Sequence, residues 1–173
     1  MLALLEALKH NSTSLREVHI HDNWIKGEAA ERLVEFIYRA RSLEKLNISD
    51  SDMGTENAYL VIKALHDSSS TRQSLKEFYC NFNEVTTAAI NKQVLDTLLA
   101  DFPSLAYVEY RGNTLGRKTK KDYVQRFQDA SKKIVLFEEE DEDEEDDEEE
   151  EYDDEEAEFE EDDIVKRLEN LKL

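Results

Sequence analysis

LREVHIHDNWI at positions 15–25 returns as LEKLNISDSDM at 43–53, LKEFYCNFNEV at 75–85 and LAYVEYRGNTL at 105–115. The segments begin 28, 32 and 30 residues apart. Their first, fourth and sixth positions are Leu15, Val18 and Ile20; Leu43, Leu46 and Ile48; Leu75, Phe78 and Cys80; and Leu105, Val108 and Tyr110. The ninth is Asn23, Ser51, Asn83 and Asn113, and the eleventh is Ile25, Met53, Val85 and Leu115. Alternation at positions four and six predicts a short strand with one face in a core. Asparagine at position nine suits a sharp turn, because its amide can satisfy backbone groups that the turn leaves unpaired. Ser51 does this only in part. Gly27, Gly54 and Gly116 follow three of the turns, where a glycine eases entry into a helix. The third segment has Thr86 and Thr87 instead, suited to a cap.

Apolar stripes fill the intervals. Leu33, Phe36, Ile37 and Ala40 form one, Ala58, Val61, Ile62 and Leu65 a second, and Ile90, Val94 and Leu98 a third. Tyr123, Phe127, Ala130 and Ile134 form a fourth at helical spacing. Each unit therefore reads as strand, turn and long helix, in the leucine-rich-repeat pattern LxxLxLxxNxL. The expected fold class is α/β: a leucine-rich-repeat solenoid of ribonuclease-inhibitor type, with four parallel strands inside and helices outside. It occupies residues 1–137, with repeats starting near 15, 43, 75 and 105. Leu2, Leu5 and Leu8 look like the end of a helix whose own strand is missing. An uncapped strand edge at Leu15 is an aggregation liability, so the chain is expected to be the C-terminal part of a longer solenoid or an incomplete gene product; the alternative is a protein that completes its sheet with a partner.

Charge divides the chain. The 173 residues carry 22 Lys and Arg against 42 Asp and Glu, a formal net charge of -20. Yet residues 1–137 hold 18 acidic and 19 basic side chains, whereas 138–163 hold 23 carboxylates among 26 positions. That run buries almost nothing and repels itself, so a disordered acidic tail is expected there. It disfavours nucleic acid as a partner. The last segment, 164–173, places Ile164, Leu168 and Leu171 on one face of a short amphipathic helix, and its leucine spacing also matches an export signal. Between Arg111 and Lys133, eight cations face only Asp122 and Asp129. They form either a solvated capping helix or a site for acidic groups. No apolar run is long enough for a membrane span, and one cysteine excludes a disulfide framework.

The outward strand positions are Glu17, His19 and His21; Lys45, Asn47 and Ser49; Glu77, Tyr79 and Asn81; and Tyr107, Glu109 and Arg111. Such a polar and aromatic face suits protein recognition, though any solvated sheet face is also polar. The following loops add Asp22, Trp24, Asp50, Asp52, Phe82, Glu84 and Thr114, and Trp24 is expected near the surface. His19 and His21 lack a third ligand, so no metal is assigned. Cys80 reads as a small apolar filler. There is no P-loop, GxSxG or HExxH motif, hence no catalytic residue, no cofactor and no enzyme activity of the chain's own.

Repeats of this length, a final GNTLG turn at 112–116, a last helix and a long acidic run together resemble the C-terminal part of the Ran GTPase-activating proteins. The resemblance implies GTPase activation of the small GTPase Ran in its GTP form, in nucleocytoplasmic transport, with Ran-binding or transport proteins as further partners. It also implies a cytoplasmic or nuclear-rim location. The family's asparagine thought to position Ran's glutamine lies in an earlier repeat, so no catalytic residue carries over. Asp22, Asp50, Asp52, Glu109 and Arg111 are the expected partner contacts. The alternative is an acidic-tailed leucine-rich-repeat binder of basic proteins such as histones, or a phosphatase regulator. Those repeats are shorter and carry little outer helix.

Overall fold

The chain runs α1 (Leu2–Asn11), β1 (Glu17–His19), α2 (Glu28–Arg39), β2 (Lys45–Asn47), α3 (Gly54–Asp67), α4 (Ser69–Ser74), β3 (Glu77–Tyr79), α5 (Ala88–Ala100), β4 (Tyr107–Glu109), α6 (Arg117–Asp129), β5 (Lys133–Val135) and α7 (Glu161–Leu171). These elements come from a computed structural model that describes residues 1–138 and 161–171. The segment expected to be a disordered acidic tail falls almost wholly on 139–160, outside the described residues.

The strands form one parallel sheet in the order β1-β2-β3-β4-β5. A parallel neighbour needs a crossover connection, and α2, α3 with α4, α5 and α6 supply one each. The architecture is thus mixed α/β with a five-stranded parallel sheet. Register aligns Val18 with Leu46, Leu46 with Phe78, Phe78 with Val108 and Val108 with Ile134. All five are buried. The three segment spacings therefore correspond to single steps across the sheet.

The helices bury the stripes their sequences carry. Leu33, Val34, Phe36 and Ile37 of α2 are inaccessible to solvent. α3 is buried on most of its surface, because α2 and α5 flank it and α7 lies against it. On α7, Ile164 and Leu168 are buried, while Arg167 pairs with Glu31 of α2 at 3.2 Å and with Glu56 of α3. The expected short amphipathic helix thus begins at Glu161 and packs on α2 and α3. α1 is held to α2 by the buried Leu5 and by the Lys9 ammonium, 2.6 Å from Glu35.

The expectations of four strands and of a single fourth helix need correction. The fourth stripe is not a single helix through Ile134. α6 stops at Asp129, Ala130 is exposed, Ser131 takes a left-handed φ of 58°, and Ile134 lies in a fifth strand. The spacing from Phe127 to Ile134 equals two helical turns, so periodicity alone misread it. The β-branched Ile134 and Val135 were the opposing signal. Lys132, counted with the basic face, instead directs its ammonium at the carbonyls of Leu98, Leu99 and Phe102 at 3.3, 2.6 and 3.0 Å. It closes the C-terminal end of α5, where cations are favoured.

Position nine does the work expected of it. Asn83 donates from Nδ2 to Ile48 O at 2.9 Å, and its Oδ1 accepts from Ser51 N at 3.1 Å. Asn113 donates to Cys80 O at 2.9 Å and accepts from the backbone N–H groups of Asn83 and Val85, both at 3.3 Å. Each amide fastens one turn to the preceding one. Ser51 reaches only Ser49 O. Asn23 is exposed and bonds within its own turn, to Ile20 O and His21 O. Thr87 precedes α5 but makes no side-chain cap bond.

Candidate interaction surface

The turns after the strands share a backbone conformation with direct consequences for the side chains. Position eight is left-handed in all four segments: Asp22 at φ 62°, Asp50 at 52°, Phe82 at 51° and Gly112 at 65°. Aspartate tolerates this region better than most residues. The backbone N–H groups of Asp22, Asp50 and Phe82 then donate to Ser49 O, Asn81 O and Arg111 O at 3.1, 2.7 and 2.8 Å. Asp52, two positions further on, is left-handed as well, at φ 49°, so three of the expected contact residues, Asp22, Asp50 and Asp52, already have a structural reason to be aspartate. Phe82 has none, since a bulky side chain is costly there. Its ring lies over Gly112, where it leaves no room for an added Cβ.

These turns form a ridge along one end of the sheet. Trp24 is 71% exposed and Phe82 is 42% exposed. A shallow cleft of about 270 Å³ is lined by Asp22, Asn23, Trp24, Asp50 and Asp52. So three of the expected contacts do come together, around the tryptophan. The Lys26 ammonium lies 2.8 Å from Asp52, 4.0 Å from Glu84 and 6.0 Å from the Trp24 ring centroid. Its hydrogen bond holds the Asp52 carboxyl below the usual range, while hydrogen bonding to Asp52 and that group's charge push Glu84 up. Sequence reading passed over Lys26, which sits one position beyond the repeated segment.

The other two expected contacts, Glu109 and Arg111, sit together on the solvent-facing side of the strands, away from that cleft. Glu109 accepts hydrogen bonds from Tyr107 Oη at 2.7 Å, Asn81 Nδ2 at 2.8 Å and the Arg111 guanidinium at 2.7 Å. Burial pushes the Glu109 carboxyl up, but these three donors outweigh it and hold the group below its ordinary value. One strand earlier, Glu77 sits 2.6 Å from Lys45 and accepts from Tyr79 Oη at 2.7 Å. The Tyr79 and Tyr107 rings lie 5.5 Å apart. The face is a connected ionic and aromatic network, with much of its polar capacity satisfied internally. Arg111 also lines a larger cleft, of about 720 Å³, at the β5 end.

The one cysteine does not reach this surface. Cys80 is fully buried, and burial pushes its thiol up to about 12. Among the described residues no three or more His, Cys, Asp or Glu side chains are grouped to hold a metal, and no helix is long and apolar enough to cross a membrane.

No protein-family model matches the chain, and a search of the curated proteins finds no match. Solved structures do match. The C-terminal domain of tropomodulin from Caenorhabditis elegans aligns with a TM-score of 0.61 and 15% identity, over 98% of this chain and 89% of that one. Leiomodin-1 actin-binding site 2 aligns with a TM-score of 0.57 and 14% identity, over 97% of this chain and 84% of that one. The likeness is one of fold. It corrects the resemblance to Ran GTPase-activating proteins, and with it Ran in its GTP form, Ran-binding or transport proteins as partners, and a role in nucleocytoplasmic transport. The physical reason is visible in the motif that carried the resemblance. In GNTLG, Gly112 takes the left-handed turn and Asn113 ties it to the preceding strand. Both serve the fold, so their presence discriminates poorly between partners.

Proposed function

We propose that this chain is a non-catalytic protein-binding module of stacked leucine-rich repeats, and that its partner is actin. The observation that carries the reading is the alignment of 97% of the chain with a domain described as an actin-binding site. The sequential parallel strands and the asparagine bonds between turns support the repeat description. The ridge supports the binding role. Trp24 is the most exposed large apolar side chain among the described residues, and tryptophans rimmed by polar groups are favoured anchors at protein interfaces. Phe82, held in a costly backbone conformation with its ring partly in solvent, fits the same role, because such strain gathers at functional sites.

The test is binding of purified actin, as monomer and as filament, to the full chain. Trp24→Ala is expected to weaken binding about 30-fold, the scale of an interface anchor worth about 2 kcal/mol. Its urea midpoint should stay unchanged, since so exposed a side chain adds little to stability. No binding to either form, or binding indifferent to Trp24→Ala and Phe82→Ala alike, contradicts the proposal.

A further inference from the structure

The larger cleft lies beyond the last strand, between β5 and α6, where a further unit of the array would stack. Its floor is apolar, from Val124, Ile134, Leu136 and Phe137, and its rim carries Arg111, Arg117, Lys121 and Lys133 against one carboxylate, Glu109. Three features set this rim apart from an ordinary charged surface. First, α6 opens with Arg117, Lys118, Lys120 and Lys121 and has no acid in its first turn. Cations at that end oppose the helix dipole, so the sequence carries a local cost that a nearby anion would offset. α1, α4 and α5 also open without an acid, but none of them opens on such a run of cations. Second, the Arg111 Nε–H is buried without a hydrogen-bond partner among the described residues, although the same guanidinium is anchored on Glu109. Third, Arg117 and Lys120 lie 6.0 and 5.5 Å from the Phe137 ring centroid. Phe137 therefore draws cations around the very point at which the chain turns acidic.

We propose that this cleft is a docking site for an extended acidic segment, and that its occupant is the chain's own run 139–160. Charge complementarity and chain length single out this occupant. Nineteen of those 22 residues are acidic, and the run begins one residue after Glu138, itself next to Phe137. Its far end is fixed at Glu161, where α7 begins. Twenty-two residues extend to about 75 Å. Tethering at the rim gives the run an effective concentration in the millimolar range, so individually weak exposed contacts act together. The site does not depend on actin as the partner, and an acidic segment from another protein would have to compete with the run.

Zero-length carbodiimide cross-linking of the full chain, kept dilute and monomeric, tests this by mass spectrometry of the peptides. Amide links from Lys118, Lys120, Lys121 or Lys133 to carboxylates of 139–160 are expected within one molecule. They should exceed those formed by Lys26 and Lys76 severalfold. They should fade as salt rises towards about 1 M, where screening shortens to about 3 Å. Arg117→Glu combined with Lys121→Glu should remove the preference while leaving the far-ultraviolet circular dichroism unchanged. Links spread evenly over all lysines, links only between molecules, or a preference that survives the double substitution would each overturn the proposal.

Discussion

Single residues in the turns serve conformation and recognition to different degrees. Gly112 is required twice, by its left-handed backbone and by the Phe82 ring above it. Gly112→Ala should cost about 1–2 kcal/mol from the backbone alone, with an added cost from displacing Phe82. Urea unfolding of Gly112→Ala in the wild-type and Phe82→Ala backgrounds separates the two: the loss should be smaller where the ring is gone. Glu109 offers a pH signature. Its folded pKa is depressed, so its stabilising contribution is complete above the unfolded value of about 4.3 and is lost as pH falls through the lower folded value. Between about pH 6 and pH 3, the wild type should lose more stability than Glu109→Gln. Equal losses would show that the three donors do not favour the carboxylate. Aspartate at positions 22 and 50 was legible as a feature of the loops. That it answers first to a left-handed backbone was not, because φ leaves no mark in composition.

At the scale of elements, the asparagine bonds set the stacking of the turns. Asn83→Ala and Asn113→Ala each strand buried backbone groups and should cost about 2 kcal/mol or more, whereas the exposed Asn23→Ala should cost under about 0.5 kcal/mol. Comparable losses at all three sites, read from urea midpoints, would refute this role. The register row Val18, Leu46, Phe78 and Val108 could be read from spacing alone, since one side chain per strand must meet the core at the same height. Its continuation to Ile134 could not. Ile134 stands seven residues after Phe127, a separation that suits a helix, and the break between them depends on Ser131 adopting positive φ. The length of α6 was misjudged for that reason. The docking of α7 was likewise beyond the sequence. Ile164 and Leu168 announce an apolar face, but only the fold shows that α2 and α3 cover it.

For the molecule as a whole, the sequence reading and the comparisons part at the partner. Strand spacing, turn asparagines and helix stripes all describe how the parallel sheet and its helices are built, and one fold can present different surfaces to different partners. Partner choice must lie in what the fold displays: Trp24 and Phe82 on the ridge, the Glu77 and Glu109 networks on the strand face, and the cationic rim at the β5 end. Hydrogen–deuterium exchange of the full chain with and without saturating actin distinguishes these surfaces in one measurement. Slowed exchange confined to peptides spanning the turns at 20–26, 48–54 and 80–86, with the outer helices α2, α3 and α5 unchanged, is the predicted result. No change anywhere, or protection only on those outer helices, would contradict the assignment of the ridge as an actin-binding surface.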